Sequence, residues 1–216
     1  MSEYENEPIP GLPGFLPPGE DILWQGSPDW RALARTAFHT RLIAAYFAIL
    51  VAWALASALS GGVRGPGDLI GVAMTALLGV AGVGLLHLLA WGSAKTTIYT
   101  LTNRRIVLRI GMAVPKCINL PFGMIGAVDL NARADGTGDI PLTLVGQPKL
   151  GYLALWPHAR PWKIVAPQPM LRSVPDAAAI AATIARTCLA ANPDGRIALP
   201  ETRTVTMPEF GEAVAA

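Results

Sequence analysis

Charged side chains are scarce in this chain. Asp, Glu, Lys and Arg make up 15% of its 216 residues, while 52% are hydrophobic; soluble globular domains carry about 25% charged residues. The deficit points to a membrane class. A formal net charge of +2, with no basic block, leaves no surface built to neutralise phosphates, so nucleic acid is set aside as a partner. Cysteine is almost absent. Cys117 and Cys188 stand far apart with no CxxC pairing, which excludes a disulfide framework or a structural zinc site and predicts reduced cytosolic thiols. The three histidines are scattered, and no GxSxG, HExxH, Walker or dinucleotide fingerprint occurs. Asp129, Asp135 and Asp139 do not follow calcium-loop spacing and read as solvated turn carboxylates. These absences predict a protein that is not an enzyme and binds no metal. The first twenty residues lack the basic start and apolar core of a cleavable signal peptide, so the N-terminus is expected to be retained, in the cytoplasm.

Long hydrophobic runs are what the chain does have. From Leu42 to Ser60 the only ionisable side chain is Tyr46, and from Leu69 to Gly92 only His87. At about 1.5 Å per residue each run nearly crosses or crosses a hydrocarbon core about 30 Å thick. The Gly- and Pro-containing link at 61–68 makes them a helical hairpin. Arg31, Arg35 and Arg41 precede it and Lys95, Arg104, Arg105 and Arg109 follow it, against Arg64 and Asp68 in the link. The positive-inside rule then predicts a multi-pass inner-membrane protein with both termini in the cytoplasm. Small residues at Ala44, Ala48, Ala52, Ala56 and Ser60, and at Gly71, Thr75 and Gly79, form stripes that pack the hairpin on itself or mate with a partner's helix. A homodimer is one candidate arrangement. The absence of an intramembrane carboxylate or broken-helix pair disfavours a transporter.

Residues 1–27 read as an extended arm ending in a strand-like Ile22–Gly26. Residues 28–92 read as an interfacial helix over 30–41, with Ser27 as N-cap and Pro28 at its first position, followed by the hairpin. After Gly92 the apolar period switches from helical to alternating. Short strands are expected at 97–101, 105–110, 117–120, 126–131, 140–145, 152–156 and 162–165, then a helix over 177–191 with Ile180, Ile184, Cys188 and Leu189 on its apolar face. Residues 93–192 thus form one strand-rich unit, and 193–216 a mobile tail.

Seven strands followed by one helix resembles the order of a pleckstrin-homology-like barrel capped by its C-terminal helix. Tyr99-Thr100-Leu101-Thr102-Asn103-Arg104-Arg105 is similar to the Y-x-L-T-N-x-R signature of bacterial pleckstrin-homology domains, often fused to membrane hairpins. The whole fold expected is therefore a membrane α-helical hairpin plus an all-β pleckstrin-homology-like barrel. The order of pieces, from Pro17-Pro18-Gly19-Glu20 and Trp24-Gln25-Gly26 through the hairpin to Leu101–Arg105, Gly138-Asp139-Ile140, Leu155–Trp162 and Pro169–Arg172, also resembles the PuhB family of photosynthetic complex assembly proteins of purple bacteria. That resemblance implies a non-enzymatic role in building the reaction centre and light-harvesting 1 complex, with their subunits as partners. The alternative is a membrane-anchored module that binds anionic lipid headgroups.

Candidate site residues follow. His87, beside Gly84 in the second span, is the candidate contact for bacteriochlorophyll, whose magnesium imidazole ligates in light-harvesting polypeptides; no cofactor is required. Arg104, Arg105, Arg109 and Lys116 lie on the first strands, where pleckstrin-homology domains place phosphate-binding cations, and are the candidate contacts for membrane lipids. Trp156, His158, Arg160 and Trp162, in a proline-containing loop, combine the aromatic and Arg side chains that anchor protein interfaces and are the candidate partner surface.

Overall fold

The apolar runs fold into two long helices because nearly all their side chains leave the backbone hydrogen bonds to the helix; Thr75 and His87 bond carbonyls four residues back within it. The computed structural model describes residues 9–61, 66–112, 114–146 and 150–191; the expected tail at 193–216 and residues 62–65 of the hairpin link lie outside them. α2 spans Thr40–Ser60 and α3 spans Pro66–Thr96. Both are long and apolar enough to cross a membrane, and their side chains are almost wholly exposed along that length. Gly79 lets the helices approach: a Cβ there would lie 2.9 Å from Phe47. Gly71, in the same expected stripe, faces open space instead.

The expected interfacial helix is shorter and differently employed. α1 covers Trp30–Thr36 and is capped by Asp29, not Ser27, with the Asp29 carboxylate accepting from the Ala32 N–H at 2.6 Å. Its inner face, Leu33 and Ala34, packs with Phe38 against Ala90 and Ala94 at the foot of α3. That burial takes α1 off a free membrane surface. The chain then turns through His39 (φ 50°), left-handed backbone that an L-residue other than glycine adopts rarely, before entering α2.

Two four-stranded antiparallel sheets follow. The first has the order β1-β2-β3-β4, from Ile22–Gly26, Ile98–Thr102, Arg105–Ile110 and Lys116–Pro121. The end of the N-terminal arm is thus the edge strand of the domain that begins after the hairpin, pairing Gln25 with Thr100. In the second, β5 (Ile125–Val128) and β6 (Asn131–Ala132) pair with successive parts of β7 (Gly138–Leu144), and β8 (Met170–Val174) pairs with β7 as well. The alternation of β-branched and aromatic residues works as the period requires: Tyr99, Leu101, Ile106, Leu108, Ile110 and Leu120 point into one core. α5, Ala177–Ala191, closes it with Ile180, Ala181, Ile184 and Cys188. Gly138 permits that closure, because a Cβ there would lie 2.6 Å from the Ala177 methyl. The expected hairpin, pleckstrin-homology-like sheets and capping helix are all present.

Three strand assignments need correction. Tyr152–Leu155 is a helical turn, α4, with Leu155 buried and Leu153 exposed; a Leu/Ala-rich run lacks the β-branched side chains that favour a pleated strand. Residues 162–165 form no strand; Trp162 has φ 64°, and Ile164 and Val165 face solvent. β8 was not expected, because Arg172 interrupts its apolar pattern, yet all five of its residues are buried.

Candidate functional site

The foot of the hairpin meets the sheets at a buried polar joint. Thr97, between α3 and β2, and Tyr99 on β2 reach His158, which is fully buried: Tyr99 Oη lies 2.7 Å from His158 Nδ1 and Thr97 Oγ1 lies 3.1 Å from Nε2. The Tyr99 oxygen accepts from the Arg172 backbone N–H at 3.0 Å, so its one proton goes to Nδ1. The arrangement that satisfies every group puts the imidazole proton on Nε2, donating to Thr97. Burial, and next the Arg172 charge, push the His158 ring down to about 3. Burial also pushes the Tyr99 hydroxyl far up. This is a neutral, structural histidine. The expectation that His158 lies on a partner surface is therefore corrected.

Arg172 links three segments from β8. Its Nη1 donates to the Pro157 carbonyl (2.8 Å) and its Nη2 to the Thr36 carbonyl at the end of α1 (3.2 Å). Its Nε has no partner among the described residues. Asp139 lies close enough to offset part of the burial that pushes the guanidinium down; it also accepts from Arg133 (2.8 Å) and from the Ser173 N–H (2.7 Å). The Asp29 N–H donates to the Ser173 carbonyl at 2.8 Å, and Arg35 pairs with Asp135 at 3.0 Å. These aspartates are not idle turn carboxylates: Asp139 is buried, and Asp129 pairs with Arg160 at 2.7 Å. The hairpin is locked to the sheets.

The cationic strands are largely spoken for. Arg105 forms a two-pronged pair with Glu20 (2.6 and 2.9 Å), and Thr102 Oγ1 donates to the same carboxylate at 2.8 Å. Burial alone raises the Glu20 carboxyl; the bonds from Arg105 and Thr102 and the charges of Arg105 and Arg104 outweigh it and hold the group below its ordinary value. Asn103 Nδ2 donates to the Gly19 carbonyl at 3.0 Å, and Gln25 Nε2 to the Pro10 carbonyl at 2.8 Å. The arm therefore runs over the outer face of the first sheet, where a groove of about 250 Å³ lies among Leu12, Phe15, Arg105, Val107 and Cys117. Arg109, on the same face, is buried. Of the four expected lipid contacts, Arg104 and Lys116 are exposed. The Thr-Asn-Arg-Arg signature works mainly as a clasp for the arm.

In the loop after β7, Trp162 is 93% exposed, and Leu153, Ile164 and Val165 are also open. Trp156 is half exposed and meets Phe38 edge-on at 5.5 Å, next to the start of α2. The structure thus keeps Trp156 and Trp162 at the surface and ties Arg160 to Asp129. His87 donates from Nδ1 to the Val83 carbonyl at 2.8 Å and lines a groove at the foot of the hairpin with Trp30, Arg31, Arg35 and Arg41.

The structural roles of Glu20, Asp139 and Arg172 escaped the sequence reading, which took Asp139 for a solvated turn carboxylate. A lone Arg inside an apolar strand and a Glu directly after Pro-Pro-Gly were the available signals, but only the fold reveals their partners.

Comparison with known proteins gives three likenesses. The sequence model of the bacterial PH domain matches residues 37–187. A Rhodobacter capsulatus protein, described as an uncharacterized 23.7 kDa protein in the puhA 5' region, is 37% identical over 216 residues, covering 99% of this chain and 97% of that one. A crystal structure of a protein with a pleckstrin-homology domain from Shewanella loihica is similar over 43% of this chain and 71% of its own, at a TM-score of 0.29 and 19% identity. With a match that takes in most of its length, including both apolar helices and every strand from β2 to β8, the chain belongs to the bacterial PH domain family, which is generally non-catalytic.

Proposed function

We propose that this protein is a non-enzymatic, membrane-anchored assembly factor for the photosynthetic reaction centre and light-harvesting 1 complex of a purple bacterium. The observation that carries the reading is the end-to-end likeness to a protein encoded in the puhA 5' region, a photosynthesis gene neighbourhood. In this reading α2 and α3 span the intracytoplasmic membrane, and the Arg and Lys residues flanking them keep both termini and the sheets in the cytoplasm. The locked joint holds the sheets at a set angle to the hairpin. Trp156 and Trp162, with Leu153 beside them, form the surface offered to reaction-centre or antenna subunits, since exposed aromatics bury much area at low entropic cost. Bacteriochlorophyll is not required; His87 is the residue that would contact it.

The test is a gentle detergent pull-down of the tagged protein from photosynthetically growing cells, reading co-eluting polypeptides and near-infrared absorbance. Enrichment of reaction-centre or antenna polypeptides is expected. Recovery of lipid alone would sink the assembly role. The alternative, headgroup reading by the barrel cations, has less support, because Arg105 is paired and Arg109 buried. Charge reversal of Arg104 and Lys116 that abolishes liposome binding while leaving complex assembly normal would restore it.

A further inference from the structure

The foot of the hairpin carries a cationic groove that continues into an apolar one. The first, about 450 Å³, is lined by Trp30, Arg31, Arg35, Thr40, Arg41 and His87. The second, about 660 Å³, lies between α2 and α3 among Phe47, Ala48, Val51, Ala76 and Gly84. Ala44 and Val83 line both, so the two are one channel along the hairpin. Arg35 is engaged by Asp135, the one carboxylate paired there among the described residues, and the Arg31 guanidinium sits 5.4 Å over the Trp30 ring. Arg31 and Arg41 leave the mouth net positive, and the positive end of the 21-residue α2 opens at the same place. From Ala44 to Ala52 the apolar part runs about 12 Å along the helix, most of one leaflet of a core about 30 Å thick.

We infer that this channel binds a single anionic phospholipid, its phosphate held by Arg31 and Arg41 beside His87 and one acyl chain laid between α2 and α3. The shape argues for an amphiphile. A partner's transmembrane helix would match the apolar groove but has no use for two arginines at its end, whereas a phospholipid needs both features in this order and at this length. The inference rests on the reading that the hairpin spans a bilayer, and it is separate from the barrel cations.

Native mass spectrometry of the full-length protein, released from mixed micelles of phosphatidylglycerol and phosphatidylcholine, tests it. Two variants attack the two halves. Arg31→Gln with Arg41→Gln removes the headgroup charge. Gly84→Leu places a side chain in the apolar groove, starting from a Cβ that meets nothing within 4 Å. The expected result is one retained phosphatidylglycerol in preference to phosphatidylcholine, with retention reduced about tenfold in each variant and circular dichroism unchanged. Equal retention of the two lipids, unchanged retention in either variant, or pigment or a second chain in the lipid's place would overturn it. Fractionation of the same cells separates the two failures: wild-type protein found outside the membrane fraction overturns the spanning reading itself.

Discussion

Burial of His158 behind Thr97 and Tyr99 has a consequence that titration can measure. Unfolded, the imidazole takes up a proton near its ordinary 6.5; folded, only near 3. Between those values the unfolded chain binds more protons, so stability falls as pH falls, by up to about 1.4 kcal/mol per pH unit. His158→Gln, which cannot titrate, should flatten this slope in melting temperatures taken from pH 7 to pH 4. Glu20 acts in a lower window. Its folded value is depressed, so its contribution is present above the ordinary 4.5 and is lost as pH falls below it; Glu20→Gln should remove that lower phase and leave the His158 phase intact. Tyr99→Phe strips a donor from His158 Nδ1 and an acceptor from the Arg172 N–H in a fully buried place, and should cost about 1–3 kcal/mol for each group left unpaired, read as a lower melting temperature at neutral pH.

Elements whose pattern agreed with their environment were readable in advance. α2, α3, β2, β3 and α5 lie within a few residues of where their pattern placed them, because each is a continuous run of one side-chain character. α5 owes its position to one apolar stripe, and Ile184→Ala, which opens a void among fully buried neighbours, should destabilise the fold by about 2–5 kcal/mol in thermal unfolding. The misread elements are those whose residues answer to neighbours distant in the chain. β8 holds a buried Arg172 because carbonyls from Pro157 and Thr36 are there to receive it. β1 lies where the strand-like Ile22–Gly26 is expected; only its partner, the edge at Tyr99–Thr102, had to come from the fold.

At the scale of the whole molecule, an apolar hairpin and a two-sheet domain are joined through α1. α1 sits between α3 and β8, and Asp29, Thr36, Arg35 and Arg172 tie it to the second sheet. Trp162 stands apart from that framework. Trp162→Ala should leave the melting temperature unchanged and lower the recovery of reaction-centre or antenna polypeptides in the pull-down at least about tenfold, the scale of an interface hot spot. Normal recovery would remove this loop from the partner surface.

Hydropathy and period were enough, from the sequence by itself, to determine the hairpin, the alternating strands and the closing helix, because each depends on local repetition of side-chain character. The roles of individual polar residues were decided only by tertiary structure. Arg105 and His158 had the residue types of a lipid contact and a partner anchor. Folding brought Glu20 to the first, and Thr97 and Tyr99 to the second, converting both into internal supports. A polar side chain's function depends on whether the fold supplies it a partner or leaves it facing solvent, and those partners lie some sixty to eighty-five residues away in the chain.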